Sequence, residues 1–160
     1  MANAHNYRNG EQVFVRPAVD SAIVIERGDI CFLNTDDVRP ASSYAYDTSE
    51  SVTQAAFTAV FLGIADDASA SGDTDPINVD IGATSVYEFT CSSTTWEIGT
   101  TFAVDVNGTS ALYSQILDKQ ATASRCIARA RNRATAASTK VQVSFASAYN
   151  TGSANSNAAL

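Results

Sequence analysis

The sequence predicts a mainly β fold: a single-domain β-barrel or β-sandwich with one short helix and extended terminal arms. Three features predict it. Apolar residues gather in short runs divided by Gly, Asn, Asp and Ser at even spacing, which makes roughly eight short strands. Period-two alternation is clean in places, as at Val141, Val143 and Phe145. A phrase that places Gly at a tight turn just before a strand occurs twice. A chain of 160 residues suits one domain and can bury its own core without disulfides or metals.

Residues 1–20 are polar and show little periodicity beyond "QVFVRPA", a short edge strand stopped by Pro17. They read as an N-terminal arm. "SAIVIERGDICFLN" places two apolar runs around Gly28, and a polar loop follows through "TDDVRPASSYAYD". Asp47 and Glu50 form a variant capping pair, so "TSESVTQAAF" is expected to be helical, with Val52, Ala55, Ala56 and Ala59 on one side. "TAVFLGIA" reads as a buried strand closed by the acidic, turn-rich "DDASASGDTDP". "INVDIGATSVYEFTC" is strand, turn, strand. "TTWEIGTTFAVDVNGTSALYS" enters a hairpin that turns at Asn107-Gly108, residues that tolerate positive φ. "SRCIARARNR" and "KVQVSFASAY" complete a β-rich domain over 21–148. Residues 149–160 are too small and polar to pack and read as a flexible tail.

"IERGDICFLN" contains Arg27-Gly28-Asp29, a tripeptide associated with cell adhesion. Beside "WEIGTTFAVD" it looks different. Ile25-Glu26-Arg27-Gly28 matches Trp96-Glu97-Ile98-Gly99, and each phrase runs on to an apolar residue and then to Asn34 or Asp105. The shared requirement is Gly28 or Gly99 at a turn that launches a strand. Arg27 and Asp29 then align with Ile98 and Thr100 and read as variable decoration.

The formal net charge of −7 hides an asymmetry: residues 1–118 hold all 17 acids and four bases, whereas six bases and no acid follow from Lys119 onward. Arg125, Arg129, Arg131 and Arg133 all occupy odd positions. In a strand they would share one face, opposite Cys126, Ala128 and Ala130. This pattern suits an acidic neighbour, including another copy of the chain. Without aromatic stacking partners nearby it argues against nucleic acid. No apolar stretch approaches the ~20 residues of a membrane span. The polar N-terminus lacks an export signal core. Cys31, Cys91 and Cys126, odd in number and far apart, read as buried free thiols.

Chemistry is hard to assemble from these residues. His5 is the one histidine and lies in the arm, which leaves no catalytic triad. No carboxylate pair stands out for glycoside hydrolysis. Asp66, Asp67, Asp73 and Asp75 lack the spacing of a calcium loop and read as a solvated acidic loop. No phosphate-binding glycine motif is present. The expectation is a protein without catalytic residues, metal or cofactor.

The order of phrases resembles the head decoration, or cement, proteins of tailed bacteriophages over about residues 20–146. The resemblance is carried by "VDSAIVIERGDICFLN", "QAAFTAVFLGIADD", "INVDIGATSVYEFTC", "WEIGTTFAVD" and "CIARARNR" with "VQVSF". Within them stand Phe61-Leu62-Gly63-Ile64-Ala65, and Gly82 followed by Val86-Tyr87-Glu88-Phe89. At Cys126-Ile127-Ala128-Arg129 the chain departs from the pattern, with Ala where similar proteins carry Gly. The resemblance implies a β-rich protein made in the host cytoplasm and placed on the outer surface of the virion. There it would clamp adjacent major capsid subunits and assemble with itself as a homotrimer. It implies no active site.

On that reading the capsid contacts are expected in the N-terminal arm at Tyr7, Arg8, Val13 and Phe14, and copy-to-copy contacts at Arg129, Arg131 and Arg133. Deleting residues 1–14 is expected to abolish binding and leave the fold intact. Two other roles fit the sequence: a virion-displayed carbohydrate- or host-surface-binding β module using Tyr44, Tyr46 and Trp96 as a platform, or another virion subunit such as a tail tube or head-fibre base.

Overall fold

Two sheets share the strands of this computed structural model, which describes residues 7–108 and 110–150. His5 and the part of the predicted tail beyond residue 150 lie outside the described residues. In chain order the elements are β1 (Tyr7–Asn9), β2 (Phe14–Val15), β3 (Ile30–Asn34), β4 (Asp37–Pro40), α1 (Glu50–Thr58), β5 (Phe61–Ala65), β6 (Val79–Asp80), β7 (Val86–Trp96), β8 (Thr101–Asn107), β9 (Ala111–Lys119), β10 (Ala128–Ala130) and β11 (Ala134–Phe145). Short 3₁₀ turns stand at Ala41–Ser43 and Ala123–Arg125.

The first sheet runs β1-β7-β11-β10-β8-β9, and a parallel pairing of β7 with β9 at Thr90–Ile116 and Cys91–Leu117 closes it. The result is a five-stranded barrel with β1 added along β7. Closure removes the exposed edges that an open sheet would present. The second sheet is antiparallel and runs β2-β6-β5-β3-β4. The fold is therefore mainly β, a barrel plus a second sheet and one short helix, as the strand pattern predicts.

Phe102, Val104, Leu117, Val141, Val143 and Phe145 point into one core that also takes Phe32, Phe57, Phe61 and Ile64 from the second sheet and the helix. The other face of the second sheet is covered by Val19, Ile25 and Ile77 over Cys31, Leu62 and Val79. Burial on both faces explains why every residue of β5 is buried and why "FLGIA" reads as a continuous apolar run. Gly63 has a steric reason to lie there: a Cβ at this position would be 2.1 Å from the Asp80 carbonyl oxygen on β6. At Ala128, where the resemblance expects Gly, the methyl is simply buried in the barrel core.

Two local expectations are corrected. The helix forms where expected, but its N-cap is Ser49, whose hydroxyl accepts from the Val52 amide (3.3 Å). The Asp47 carboxylate instead accepts from the Thr48 amide (2.6 Å). The buried face is Thr53, Gln54, Phe57 and Thr58, while Val52, Ala56 and Ala59 are exposed and Ala55 is half-buried. Polar residues can face inward because partners wait for them. The Gln54 side chain donates to the Val104 carbonyl (2.8 Å) and accepts from Arg125 Nε (3.0 Å), and the Thr53 and Thr58 hydroxyls bond back to Ser49 and Ala55 carbonyls.

The second correction concerns the β8–β9 hairpin. Asn107 ends β8 in register with Ala111, so the loop holds three residues. Gly108 takes positive φ (65°), but Asn107 does not, and the two-residue Asn-Gly turn is replaced. The Ser110 hydroxyl donates to the Asn107 carbonyl (3.3 Å) and ties the longer loop.

Candidate interaction surfaces

The repeated phrase folds the same way twice. Gly28 (φ 94°) and Gly99 (φ 87°) both adopt left-handed backbone just ahead of β3 and β8. The amide of the next residue donates to the Glu carbonyl in each, Asp29 to Glu26 and Thr100 to Glu97, both at 3.1 Å. Each turn is also closed from its side chain. Asp29 Oδ2 accepts from the Glu26 amide (2.9 Å), and Thr100 Oγ1 accepts from the Glu97 amide (3.1 Å). Arg27 is the exposed, variable position that the alignment suggests. Asp29 is not decoration: only 5 % exposed, it serves the turn and cannot be offered to a receptor as the tripeptide would require.

Asp29 also joins the two layers. Its Oδ1 accepts from Gln115 Nε2 on β9 (2.8 Å). Burial pushes its carboxyl above the ordinary aspartate value of 3.8, although the Glu26 amide and Gln115 pull the other way. A second joint lies at Asp80, which accepts from Tyr87 Oη (2.6 Å), the Val13 amide (3.0 Å) and the Gly82 amide (2.8 Å). Gln12 Nε2 reaches the same Tyr87 hydroxyl at 3.0 Å. Desolvation, then Asp80, raise the Tyr87 phenol and keep it a neutral donor. Neither joint is visible in sequence, because Gln115 and Tyr87 lie 86 and 7 residues from their carboxylate partners.

The N-terminal segment is stitched into both sheets. Tyr7 pairs with Tyr87 in β7, its ring meeting that of Tyr87 edge-on at 5.7 Å, and its hydroxyl donates to the Gly10 carbonyl (2.7 Å). Arg8 forms an ion pair with Glu88 (2.9 Å). Two of the four expected contact residues are thus engaged within the chain. Val13 and Phe14 differ. They stand on the edge strand β2 and its approach, 45 % and 44 % exposed, while their backbone pairs with β6 and Ile81.

The arginine series divides. Cys126, Ala128 and Ala130 point inward and Arg129 and Arg131 outward, as alternation predicts. Arg125 breaks the pattern because it ends a 3₁₀ turn and reaches inward to Gln54. Arg129 Nη1 donates to the Gly99 carbonyl (3.3 Å), and Arg133 pairs with Glu97 (2.8 Å). The predicted aromatic platform is not formed. Trp96 is 3 % exposed, meets Phe102 edge-on and donates to Asn132 Oδ1 (3.2 Å), whereas Tyr44 packs on Phe32 and Phe57.

The acidic loop has local tasks. Asp66 pairs with Arg27, Asp67 accepts from the Asn78 amide, and Asp73 accepts from the Asp75 amide. Among the described residues no group of three or more His, Cys, Asp or Glu side chains is placed to hold a metal ion, and no helix is long and apolar enough to cross a membrane. The three cysteines are free and buried, as expected, and burial raises each thiol. A cleft of about 550 Å³ opens between β9 and the turn that carries Glu26 and Asp29, with Val24, Ser42 and Asn107 in its wall.

Comparison of this chain with protein-family models, with curated proteins and with solved structures gives no match in any of the three.

Proposed function

We propose that the chain is a structural virion protein that decorates a phage head and stabilises it by clamping neighbouring major capsid subunits, its copies arranged as trimers on the outer surface. The observation that carries this reading is the N-terminal segment. It crosses from β1 on the barrel to β2 on the second sheet and leaves Phe14 exposed on that edge strand and Val13 exposed just before it. An edge strand with two adjacent exposed apolar side chains is suited to pair with an extended segment of another protein. The glycines of the resembling phrases serve packing and turns, in keeping with a protein selected for shape. The display-module reading loses its platform with Trp96 buried. Individual contacts can be weak, since many copies bound to one lattice sum their effect.

The test is co-sedimentation of the purified chain with expanded phage shells stripped of decoration, followed by thermal melting of the shells. Saturable binding at a lattice stoichiometry and a raised melting temperature are expected. A chain that stays in the supernatant at all concentrations refutes the proposal.

A further inference from the structure

The barrel has two rims of different character. At one, β7 and β9 end and β8 and β11 begin, and Lys119, Arg129, Arg131 and Arg133 are gathered there. Arg133 is matched by Glu97, whereas Lys119 and Arg129 donate to the neutral carbonyls of Thr95 and Gly99 and form no ion pair among the described residues. Between the residues that Arg129 and Arg133 hold stands Ile98, 70 % exposed.

At the far rim, where β8 ends and β9 begins, Asn107 and Ala111 line the cleft with Val24, Glu26 and Asp29. The acidic loop adjoins that wall: Ser69 exchanges backbone hydrogen bonds with Ile25, and the Gly72 amide donates to the Ser21 carbonyl (2.7 Å). Segments 13–40 and 61–81, which build this side, hold ten acids against three bases, whereas 86–145 hold four acids against six bases. The seven residues of β8 separate the rims by about 20 Å. Val24, 53 % exposed, and Ile98 are the two most exposed large apolar side chains among the described residues, and each rim has one.

We propose that these rims are the two halves of a head-to-tail contact between copies of this chain. Ile98 of one copy, with Arg129 and Arg131 beside it, seats in the cleft of the next against Val24, Glu26 and the acidic loop. Unlike patches on opposite rims dictate a heterologous contact, in which each copy gives one rim and receives the other. Opposite charges set the orientation, because like rims repel, and the two apolar side chains cover each other. The contact belongs to the chain alone and needs no shell, so its failure leaves shell binding standing, and the reverse.

Sedimentation equilibrium of the purified chain tests it. The wild type should associate at concentrations up to about 100 μM and dissociate as salt is raised. Arg129→Glu with Arg131→Glu, or Glu26→Lys with Asp73→Lys, should each weaken association about tenfold or more with only a small change in melting temperature, since all four side chains are exposed and each pair gives up one surface hydrogen bond, Arg129 to the Gly99 carbonyl or Asp73 to the Asp75 amide. An equimolar mixture of the two charge-reversed chains should recover association, because each then presents the complement of the other. A monomeric wild type, association indifferent to both double variants, or a mixture that stays dissociated would each overturn the proposal.

Discussion

Thr35 is a β-branched residue with φ at 62°, the one non-glycine left-handed residue among those described. It sits in the two-residue turn between β3 and β4, where Asn34 faces Asp37 and the Asp36 amide donates to the Asn34 carbonyl (2.8 Å). Crowding at Cβ makes this backbone costly for threonine and cheaper for asparagine. The side chain is exposed, so nothing is lost by replacing it. Thr35→Asn should stabilise the protein by about 0.5–1 kcal/mol, read as a raised midpoint in urea. At Asp29 the same scale gives a pH dependence. Its folded pKa lies above the unfolded value of 3.8, so its protonated form is favoured by folding. Its relative contribution to stability is full below 3.8 and is lost as pH rises through the raised value. Asp29→Asn, which is always neutral, should therefore gain on the wild type as pH rises from 3.8 through that window. Melting curves of both chains across the window check this; a constant difference would contradict it.

The helix shows how an element can be legible in place and illegible in orientation. Its position follows from the capping residues and the break before "FLGIA". Its buried face cannot be read from hydrophobicity, since Thr53, Gln54 and Thr58 face inward while Val52 faces water. What decides is a remote acceptor and a remote cation, Val104 and Arg125, 50 and 71 residues away. The strands are legible, because period-two patterns and the Gly-centred turns are local. The three-residue loop after β8 is not, since register belongs to both strands. Gln54→Leu would leave the buried Val104 carbonyl without its donor and the Arg125 guanidinium with only its longer pairing to Glu50 (3.5 Å). At about 1–3 kcal/mol for an unsatisfied buried group, it should cost about 2 kcal/mol in chemical denaturation. Gly63→Ala acts on β5 instead. Its methyl would meet the backbone of β6, which cannot move aside cheaply, so a clear loss of melting temperature is expected with no change in the exposed surface.

For the whole molecule, the barrel and the second sheet are coupled by the same N-terminal segment that carries the proposed shell contact. Deleting residues 1–14 would remove β1, the Tyr7–Tyr87 ring contact, the Gln12–Tyr87 bond, the Val13–Asp80 bond and half of β2. These contacts argue against the sequence-based expectation that the fold stays intact after this truncation. The cut should destabilise the protein by about 3–5 kcal/mol, through lost packing and a buried carboxylate short of one donor. Loss of shell binding by the truncated chain would then report unfolding as readily as a missing contact. Val13→Ser with Phe14→Ser separates the two, because both side chains are nearly half exposed and the backbone pairing to β6 and Ile81 is untouched. That variant should melt within a few degrees of the wild type and lose co-sedimentation with stripped shells. Retained binding would move the shell contact off the N-terminal edge and onto another exposed surface, with the fold itself unaffected.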